Sequence, residues 1–225
     1  RFSGLGSIAC AIRTPSGAVS SVALTPRARY LLSGSWDYTL RLWYLESGRC
    51  ATTITTPSAK ITRVDVCYYR GLYGVSGAYE RVVRLWDLTE RRCIRTFKGH
   101  NGYVSSVAIS EDGNFIVSGS YDRSIKLWNA ATGKCVQTFV GHTSFVTDVL
   151  LTPDKSWVIS AAYDRTLRIW EVRTGRCVKV LEAHEGFVYC VAHSTNGRWM
   201  ISSGTDMTLL FWELDWNLAS VEEEV

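Results

Sequence analysis

An apolar residue followed by tryptophan recurs along the chain at nearly constant spacing. This step ends at Trp43, Trp86, Trp128, Trp170 and Trp212, so the period is 42 or 43 residues. A fixed period of this size indicates a repeat architecture, in which each unit is one supersecondary element that stacks against the next. Any fold proposed for these 225 residues must accommodate five such units.

Each unit carries four short strand patterns, with β-branched residues in alternation and Gly, Asp, Asn or Pro between them. In the third unit they cover residues 104–110, 115–120, 124–129 and 135–139. Connections this short join strands as an antiparallel meander. No convincing 3.6-residue apolar period is present, so the sequence predicts an all-β fold of five four-stranded antiparallel sheets.

The units at the two ends of the chain are incomplete, and each lacks the strand patterns that the other has. Residues 1–14 contain only a fourth-strand pattern, at residues 8–14, whereas the last unit has three strand patterns and no fourth. Unpaired strand edges invite aggregation, and radial closure removes them. We therefore expect residues 8–14 to complete the last sheet and close a ring of five blades, although five units could also form part of a larger ring. The expected single domain covers residues 1–225, divided into the closing strand 1–14, the units 15–56, 57–98, 99–140, 141–182 and 183–214, and the tail 215–225.

Composition excludes several classes of protein. The net charge of +4 is modest and the basic residues are scattered, so no nucleic-acid groove is indicated. No apolar run reaches the length of a membrane span. Five of the seven cysteines occupy one repeat position and no Cys-x-x-Cys pair exists, which argues against disulfides, zinc and dithiol redox chemistry. We expect buried thiols in a reducing compartment, which indicates a cytoplasmic protein.

Histidine, serine, aspartate and tryptophan recur together at fixed offsets in the last three units. Three copies argue against a hydrolase, because an active site is rarely triplicated in one domain. An indole N–H only donates, a carboxylate only accepts, and hydroxyl and neutral imidazole do both, so the four groups can satisfy one another. We expect structural tetrads of His100, Ser118, Asp122 and Trp128; His142, Ser160, Asp164 and Trp170; and His184, Ser202, Asp206 and Trp212. The first two units have proline at the histidine position, so we expect lower local stability there.

These motifs resemble those of the WD-repeat (WD40) β-propeller family over nearly the full length of the chain. The resemblance rests on sets such as Gly99-His100, Ser118-Gly-Ser-Tyr-Asp122 and Trp128-Asn129; the serine and tryptophan parts recur in register in five units and the histidine in the last three. It implies a β-propeller whose tetrads form hydrogen-bond networks within the blades. Five units depart from the seven or eight of most family members.

Aromatic residues recur at two positions that we expect on one face of the propeller. One position precedes the acidic residue of the turn between the second and third strands, and the other precedes the first strand. In relatives this face commonly docks partners, and aromatic and arginine side chains are frequent interface hot spots. The expected binding residues are Trp36, Tyr79, Tyr103, Tyr121, Arg123, Phe145, Tyr163, Arg165 and Phe187.

The sequence therefore predicts a non-catalytic interaction scaffold that binds a protein or peptide partner. Two alternatives remain open for the same face: a glycan stacked on the rings, as in a lectin, and a phosphopeptide held by the arginines. We expect no cofactor, no metal, no nucleic-acid partner and no membrane association. A monomeric domain is expected, with oligomers left open.

Overall fold

The computed structural model describes residues 17–25, 28–57, 60–182, 184–194 and 197–214, which form 19 strands in five antiparallel sheets. Sheet 1 contains β1 (Val19–Leu24), β2 (Tyr30–Ser35), β3 (Thr39–Tyr44) and β4 (Cys50–Thr55). Sheet 2 contains β5 (Ile61–Tyr68), β6 (Leu72–Ala78), β7 (Val82–Asp87) and β8 (Arg92–Lys98). Sheet 3 contains β9 (Val104–Ile109), β10 (Phe115–Ser120), β11 (Ser124–Asn129) and β12 (Cys135–Val140). Sheet 4 contains β13 (Val146–Leu151), β14 (Trp157–Ala162), β15 (Leu167–Glu171) and β16 (Cys177–Leu181), and sheet 5 contains β17 (Val188–His193), β18 (Trp199–Gly204) and β19 (Leu209–Glu213).

Every sheet is a meander in which each strand pairs with the next along the chain. The four strands predicted for the third unit agree with β9 to β12 to within one residue at each end. In sheet 3, Ser118 pairs with Lys126 on one side and with Val107 on the other, and the equivalent serines of the other sheets keep this register. The repeat therefore fixes strand pairing as well as strand position.

The hydrophobic core lies between consecutive sheets. Each sheet has a trailing face, made by its second, third and fourth strands, that packs on the leading face of the next sheet, made mainly by that sheet's first strand. Between sheets 3 and 4, for example, Val117 and Leu127 on the trailing face meet Val146 and Val149 on the leading face. Apolar residues at these repeated positions explain why the units stack in chain order.

The five antiparallel sheets, one of them with three strands among the described residues, fit the architecture of a β-propeller. The predicted closing strand at residues 8–14 and the predicted tail at 215–225 lie outside the described residues. Closure of the ring by residues 8–14 therefore stays a prediction.

The prediction of buried thiols is wrong for the repeated cysteine and for the exposed Cys190. Cys50, Cys93 and Cys135 are exposed and Cys177 is half-buried, whereas Cys67 alone is buried among the described cysteines. The repeated position lies at the start of the fourth strand in sheets 1 to 4, which is the outer edge of the sheet, so no further strand covers it. All six described cysteines are free, and Cys10 lies outside the described residues.

Candidate functional site

The two repeated aromatic positions lie next to each other on one face of the molecule. A backbone hydrogen bond joins them within each sheet: Tyr121 N–H donates to the carbonyl of Tyr103 at 2.9 Å, and Tyr163 N–H donates to that of Phe145 at 2.9 Å. The same bond links the equivalent residues of the other sheets. The turn between the second and third strands is thus fixed against the segment that enters the first strand.

The rings at these positions form a continuous aromatic arc across sheets 2 to 5. Tyr121 stacks on Phe145 of the next sheet with ring centroids 4.6 Å apart, and Tyr163 stacks on Phe187 at the same distance. The other contacts along the arc, at 4.8–6.1 Å, join Tyr79 to Tyr103, Tyr103 to Tyr121 and Phe145 to Tyr163. Trp36 of sheet 1 packs instead under the ammonium of Lys60, 5.0 Å from its ring centre.

Beside the arc lies a cavity of about 300 Å³ that is lined by residues of all five sheets. Trp36 and four of the arc tyrosines line this cavity, with hydroxyl groups from the first strands of the sheets below them. Tyr189 also lines it and lies 5.9 Å from Tyr163, although its place in the first strand did not single it out in the sequence. Arg123 and Arg165 are exposed on the adjoining turns, where both adopt a left-handed backbone with φ near 70°.

An ion pair joins two sheets that are not consecutive along the chain. Arg63 of sheet 2 reaches Asp148 of sheet 4 at 3.3 Å. The buried Asp148 carboxylate also accepts the hydroxyl of Ser106 at 2.6 Å and the N–H of Val191 at 3.1 Å. One side chain therefore connects four sheets. The sequence contains a sign of this contact: opposite charges occur at one repeat position in two units. The third residue of the first strand is, in successive units, Ser21, Arg63, Ser106, Asp148 and Cys190.

Asp65 accepts the hydrogen bond between consecutive sheets that the arginine at position 63 cannot accept. In neighbouring sheets Ser21 and Ser106 accept the N–H of the fourth residue in the next first strand, which an arginine cannot do. Asp65 instead accepts the N–H of Ile109 at 2.9 Å, which joins sheets 2 and 3. Burial raises the pKa of Asp65 to about 6.

The three tetrads form closed hydrogen-bond chains inside sheets 3, 4 and 5. In sheet 3, Trp128 Nε1–H donates to Ser118 Oγ at 2.8 Å, and the Ser118 hydroxyl lies 2.8 Å from His100 Nε2. His100 Nδ1 lies 2.9 Å from Asp122, so the carboxylate assigns the ring proton to Nδ1. The equivalent distances in the other two tetrads are 2.7–2.9 Å.

These tetrads do not have the geometry of hydrolytic sites. Ser118, Ser160 and Ser202 are completely or almost completely buried, and each hydroxyl oxygen already receives an indole N–H. No substrate carbonyl can approach a nucleophile in that position. In sheets 1 and 2 arginine partly replaces the missing histidine, since Arg41 pairs with Asp37 at 3.0 Å and Arg84 pairs with Glu80.

The tetrad network predicts a loss of stability in acid. Burial alone would raise the pKa of Asp122, but hydrogen bonds from His100 and Ser124 outweigh it and hold the pKa well below the usual 3.8. A carboxyl whose pKa is depressed by folding stabilises the fold fully above its unfolded pKa and loses that contribution as the pH falls through the folded pKa. We therefore expect the urea midpoint of Asp122→Asn to decrease less below pH 4 than that of the native chain. Glu46→Gln, on an exposed turn, should leave this decrease unchanged. If the urea midpoint of Asp122→Asn fell below pH 4 as steeply as that of the native chain, the depressed pKa of Asp122 would not be a cause of the acid sensitivity.

The described part of the chain contains no group of three or more His, Cys, Asp or Glu side chains arranged to hold a metal ion. None of its elements is a helix with the length and hydrophobicity of a membrane span. The aromatic face presents stacked rings, hydroxyl groups and exposed guanidinium groups.

Comparison with known proteins agrees with the repeats and the fold. The family model described as "WD domain, G-beta repeat" matches residues 8–44, 91–129, 133–171 and 175–213. No curated protein matches the chain. The segment between the first two matches includes most of sheet 2, in which Pro57 and Glu80 replace the expected histidine and aspartate. Because the four matches together cover more than half of its length, the chain belongs to the WD40 repeat family.

Proposed function

We propose that this protein is a non-catalytic scaffold whose aromatic arc docks a protein or peptide partner over the cavity beside it. WD40 repeats generally mediate protein–protein interaction. The observation that carries the proposal is the continuity of the arc: its rings come from sheets 2 to 5, are exposed except for the half-buried Tyr163, and contact one another beside one cavity. A contiguous exposed apolar patch with a polar rim is typical of an interaction surface.

The arrangement of the rings favours anchor residues in the partner. Each stacked pair holds its two rings in place, so little side-chain entropy is lost when a partner covers them. The cavity of about 300 Å³ is the size of a small binding pocket and can accept one or two side chains. Hydroxyls of Thr62, Ser105 and Thr147 at its wall already donate to carbonyls of the next sheet at 2.6–2.7 Å, so the wall is rigid.

The test compares two double variants. Trp36→Ala with Tyr121→Ala should weaken partner binding by at least about 2 kcal/mol, roughly 30-fold in Kd, because truncated central aromatics are hot spots. The control, Tyr44→Ala with Tyr68→Ala, removes two exposed rings that lie at the other ends of their strands and should leave binding unchanged. Cross-linking in cell extract identifies the partner, and titration calorimetry with the purified pair measures Kd. Equal losses in both variants would reject the arc as the docking site.

A phosphopeptide partner has one observation in its favour. Arg81, Arg123 and Arg165 occupy the same turn position in three consecutive sheets, and all three are exposed with positive φ. A phosphorylated or acidic segment that bridges them should lose affinity steeply with salt. If the Kd did not change with salt concentration and a sugar inhibited binding, the ligand would instead be a glycan stacked on the rings.

For the cell compartment we propose the cytoplasm. The six free cysteines, three of them exposed at the repeated outer-edge position, support a reducing environment.

A further inference from the structure

A cleft of about 590 Å³, the side cleft, lies between the outer parts of sheets 1 and 2. Ile54 and Thr55 of β4 line it on one side, and Arg84, Thr96 and Lys98 of β7 and β8 line it on the other. It shares none of its described lining residues with the cavity beside the aromatic arc. Three repeat positions depart from the pattern of the other sheets at this interface.

At the next two interfaces, a long side chain of the outer strand crosses to the following sheet. Arg95 of β8 donates from Nη2 to the carbonyl of Ala131 at 2.7 Å, in the turn before β12. Gln137 of β12 has the equivalent position, and a Cβ added at Gly175, in the turn before β16, would lie 1.8 Å from its Nε2. These crossing side chains therefore fill the outer part of the interfaces that follow sheets 2 and 3.

The first departure is Thr52, which has this position in β4. Its side chain is too short to cross to sheet 2. Thr52 is only 9% exposed, yet its Oγ1 has no hydrogen-bond partner among the residues that the structure describes. Alternate residues of a strand point to the same side, so Thr52 shares the face of β4 on which Ile54 lines the side cleft. The outer part of this interface is therefore left open.

The second departure is Arg91, which lines the side cleft from the turn before β8. Arg91 has a left-handed backbone with φ of 57°, a conformation that glycine adopts freely and other residues adopt at a cost. Where a side chain crosses from the preceding sheet, this position has no room for one of its own, because a Cβ added at Gly133 would lie 2.8 Å from Arg95. The other four-stranded sheets have glycine here, with φ of 64–79°, at Gly48, Gly133 and Gly175.

The third departure is the missing tetrad histidine of sheet 2. In sheets 3 and 4 the imidazole lies against the tetrad tryptophan, with ring centroids 6.1 and 5.8 Å apart. Sheet 2 has the exposed Pro57 at the histidine position, and both Pro57 and Trp86 line the side cleft. The indole therefore borders the cleft at the place where an imidazole covers it in the complete tetrads.

The side cleft carries positive charge. Arg84, Arg91 and Lys98 line it, and none of the described lining residues is acidic. Arg84 is paired with Glu80, whereas Arg91 and Lys98 are exposed and form no ion pair within the described chain. Seven residues separate these two cations, about 23 Å along an extended strand. A single small anion cannot contact both, but an extended chain of similar length can.

We propose that the side cleft binds an extended peptide that has acidic residues near both of its ends. The acidic side chains pair with Arg91 and Lys98, and apolar side chains between them pack on Ile54 and Trp86. The hydroxyl of Thr96, exposed in the middle of the cleft, offers a hydrogen bond to the peptide backbone. A nucleic acid carries a charge on every nucleotide and fits less well, because the free cations lie at the two ends with apolar groups between them.

The first measurement is fluorescence anisotropy of the native chain with labelled heptapeptides. The probe has two glutamates at each end and mixed apolar residues at the three central positions, and the control peptide has glutamine in place of glutamate. We expect the acidic peptide to bind at least about tenfold more tightly, with an advantage that decreases as salt is added. Equal binding of the two peptides would overturn the proposal. Equal or tighter binding of an oligothymidylate of the same net charge would overturn it in favour of a nucleic acid.

The second measurement assigns the site. Arg91→Gly with Lys98→Val gives sheet 2 the residues that sheet 3 has at the same positions, so the fold should tolerate both changes. We expect this variant to lose at least about tenfold in affinity for the acidic peptide. Lys134→Gln, at an exposed cation outside the cleft, should leave the affinity unchanged. An equal loss in Lys134→Gln would show nonspecific attraction, and unchanged affinity in the double variant would place the peptide elsewhere; either result overturns the proposal.

Two further variants separate the cleft from its charges and from the aromatic arc. Thr52→Gln with Arg91→Gly rebuilds at this interface the contact that Gln137 makes with Gly175, and should raise the melting temperature and remove peptide binding although Lys98 is retained. If this variant bound the acidic peptide as tightly as Arg91→Gly alone, the open cleft would not be the site. Trp36→Ala with Tyr121→Ala should bind the peptide as the native chain does, and a loss there would place the peptide on the arc instead.

Discussion

Replacing Asp148 with alanine should lower the free energy of unfolding by about 2–6 kcal/mol, because it leaves two buried donors unpaired at about 1–3 kcal/mol each, while the half-exposed Arg63 can turn to water. The variant leaves the hydroxyl of Ser106, the N–H of Val191 and the guanidinium of Arg63 without their acceptor. Each buried donor that loses its partner keeps its full desolvation cost. The effect should be large because these donors come from three different sheets.

Two further variants make the Asp148 prediction specific. Asp148→Asn keeps one oxygen acceptor and should cost less than the alanine variant. Asp154→Ala removes an exposed carboxylate from the turn after β13. This carboxylate accepts hydrogen bonds from the Thr152 hydroxyl and the N–H of Ser156. Its removal should lower the free energy of unfolding by at most about 1 kcal/mol. Urea unfolding followed by tryptophan fluorescence gives all three values. Similar losses for Asp148→Ala and Asp154→Ala would show that the Asp148 network does not hold the sheets together.

Trp128→Ala should cost a comparable amount, about 3–5 kcal/mol, as expected for a buried aromatic side chain cut back to a methyl group. Trp128 is almost fully buried in the interface between sheets 2 and 3, and its ring lies 5.6 Å from that of Phe97. Its loss opens a cavity and removes the N–H that Ser118 accepts. In a chain of this length the melting temperature should fall by roughly 6–20 °C.

The matched control for Trp128 is Trp36, the exposed tryptophan of the aromatic face. Trp36→Ala removes a ring that is 42% exposed and a cation–π contact with Lys60, together worth about 1 kcal/mol at an exposed site. Thermal unfolding monitored by circular dichroism distinguishes the two. If both substitutions lowered the melting temperature by the same small amount, Trp128 would not be a core residue; if both lowered it by the same large amount, Trp36 would be one.

The tetrads show how far a local pattern predicts contacts. His100, Ser118, Asp122 and Trp128 are close in sequence, and strand pairing within one meander brings them together, so donor and acceptor chemistry was enough to predict their order. The aromatic arc was predictable for a related reason. Its two positions recur in every unit, and neighbouring units repeat one spatial relation.

The cysteines show where the same reasoning fails. The sequence predicts their repeat position correctly, but the expectation that hydrophobic thiols are buried is wrong at that position. Cys135 begins the outer strand of sheet 3, and no other part of the described chain covers that edge. Burial depends on what packs against a strand from outside, and the strand's own sequence does not contain that information.

The sequence alone determined the five units, the strands within them, the tetrads and the two aromatic positions, because each depends on residues fewer than about 45 positions apart that recur at a constant period. Tertiary structure decided the rest: that Arg63 reaches Asp148 in a sheet that is not next along the chain, that Tyr189 joins the cavity, and that a cleft stays open between sheets 1 and 2. These features depend on the curvature with which sheets follow one another. That curvature arises from packing between units and is not contained in the pattern of any single unit.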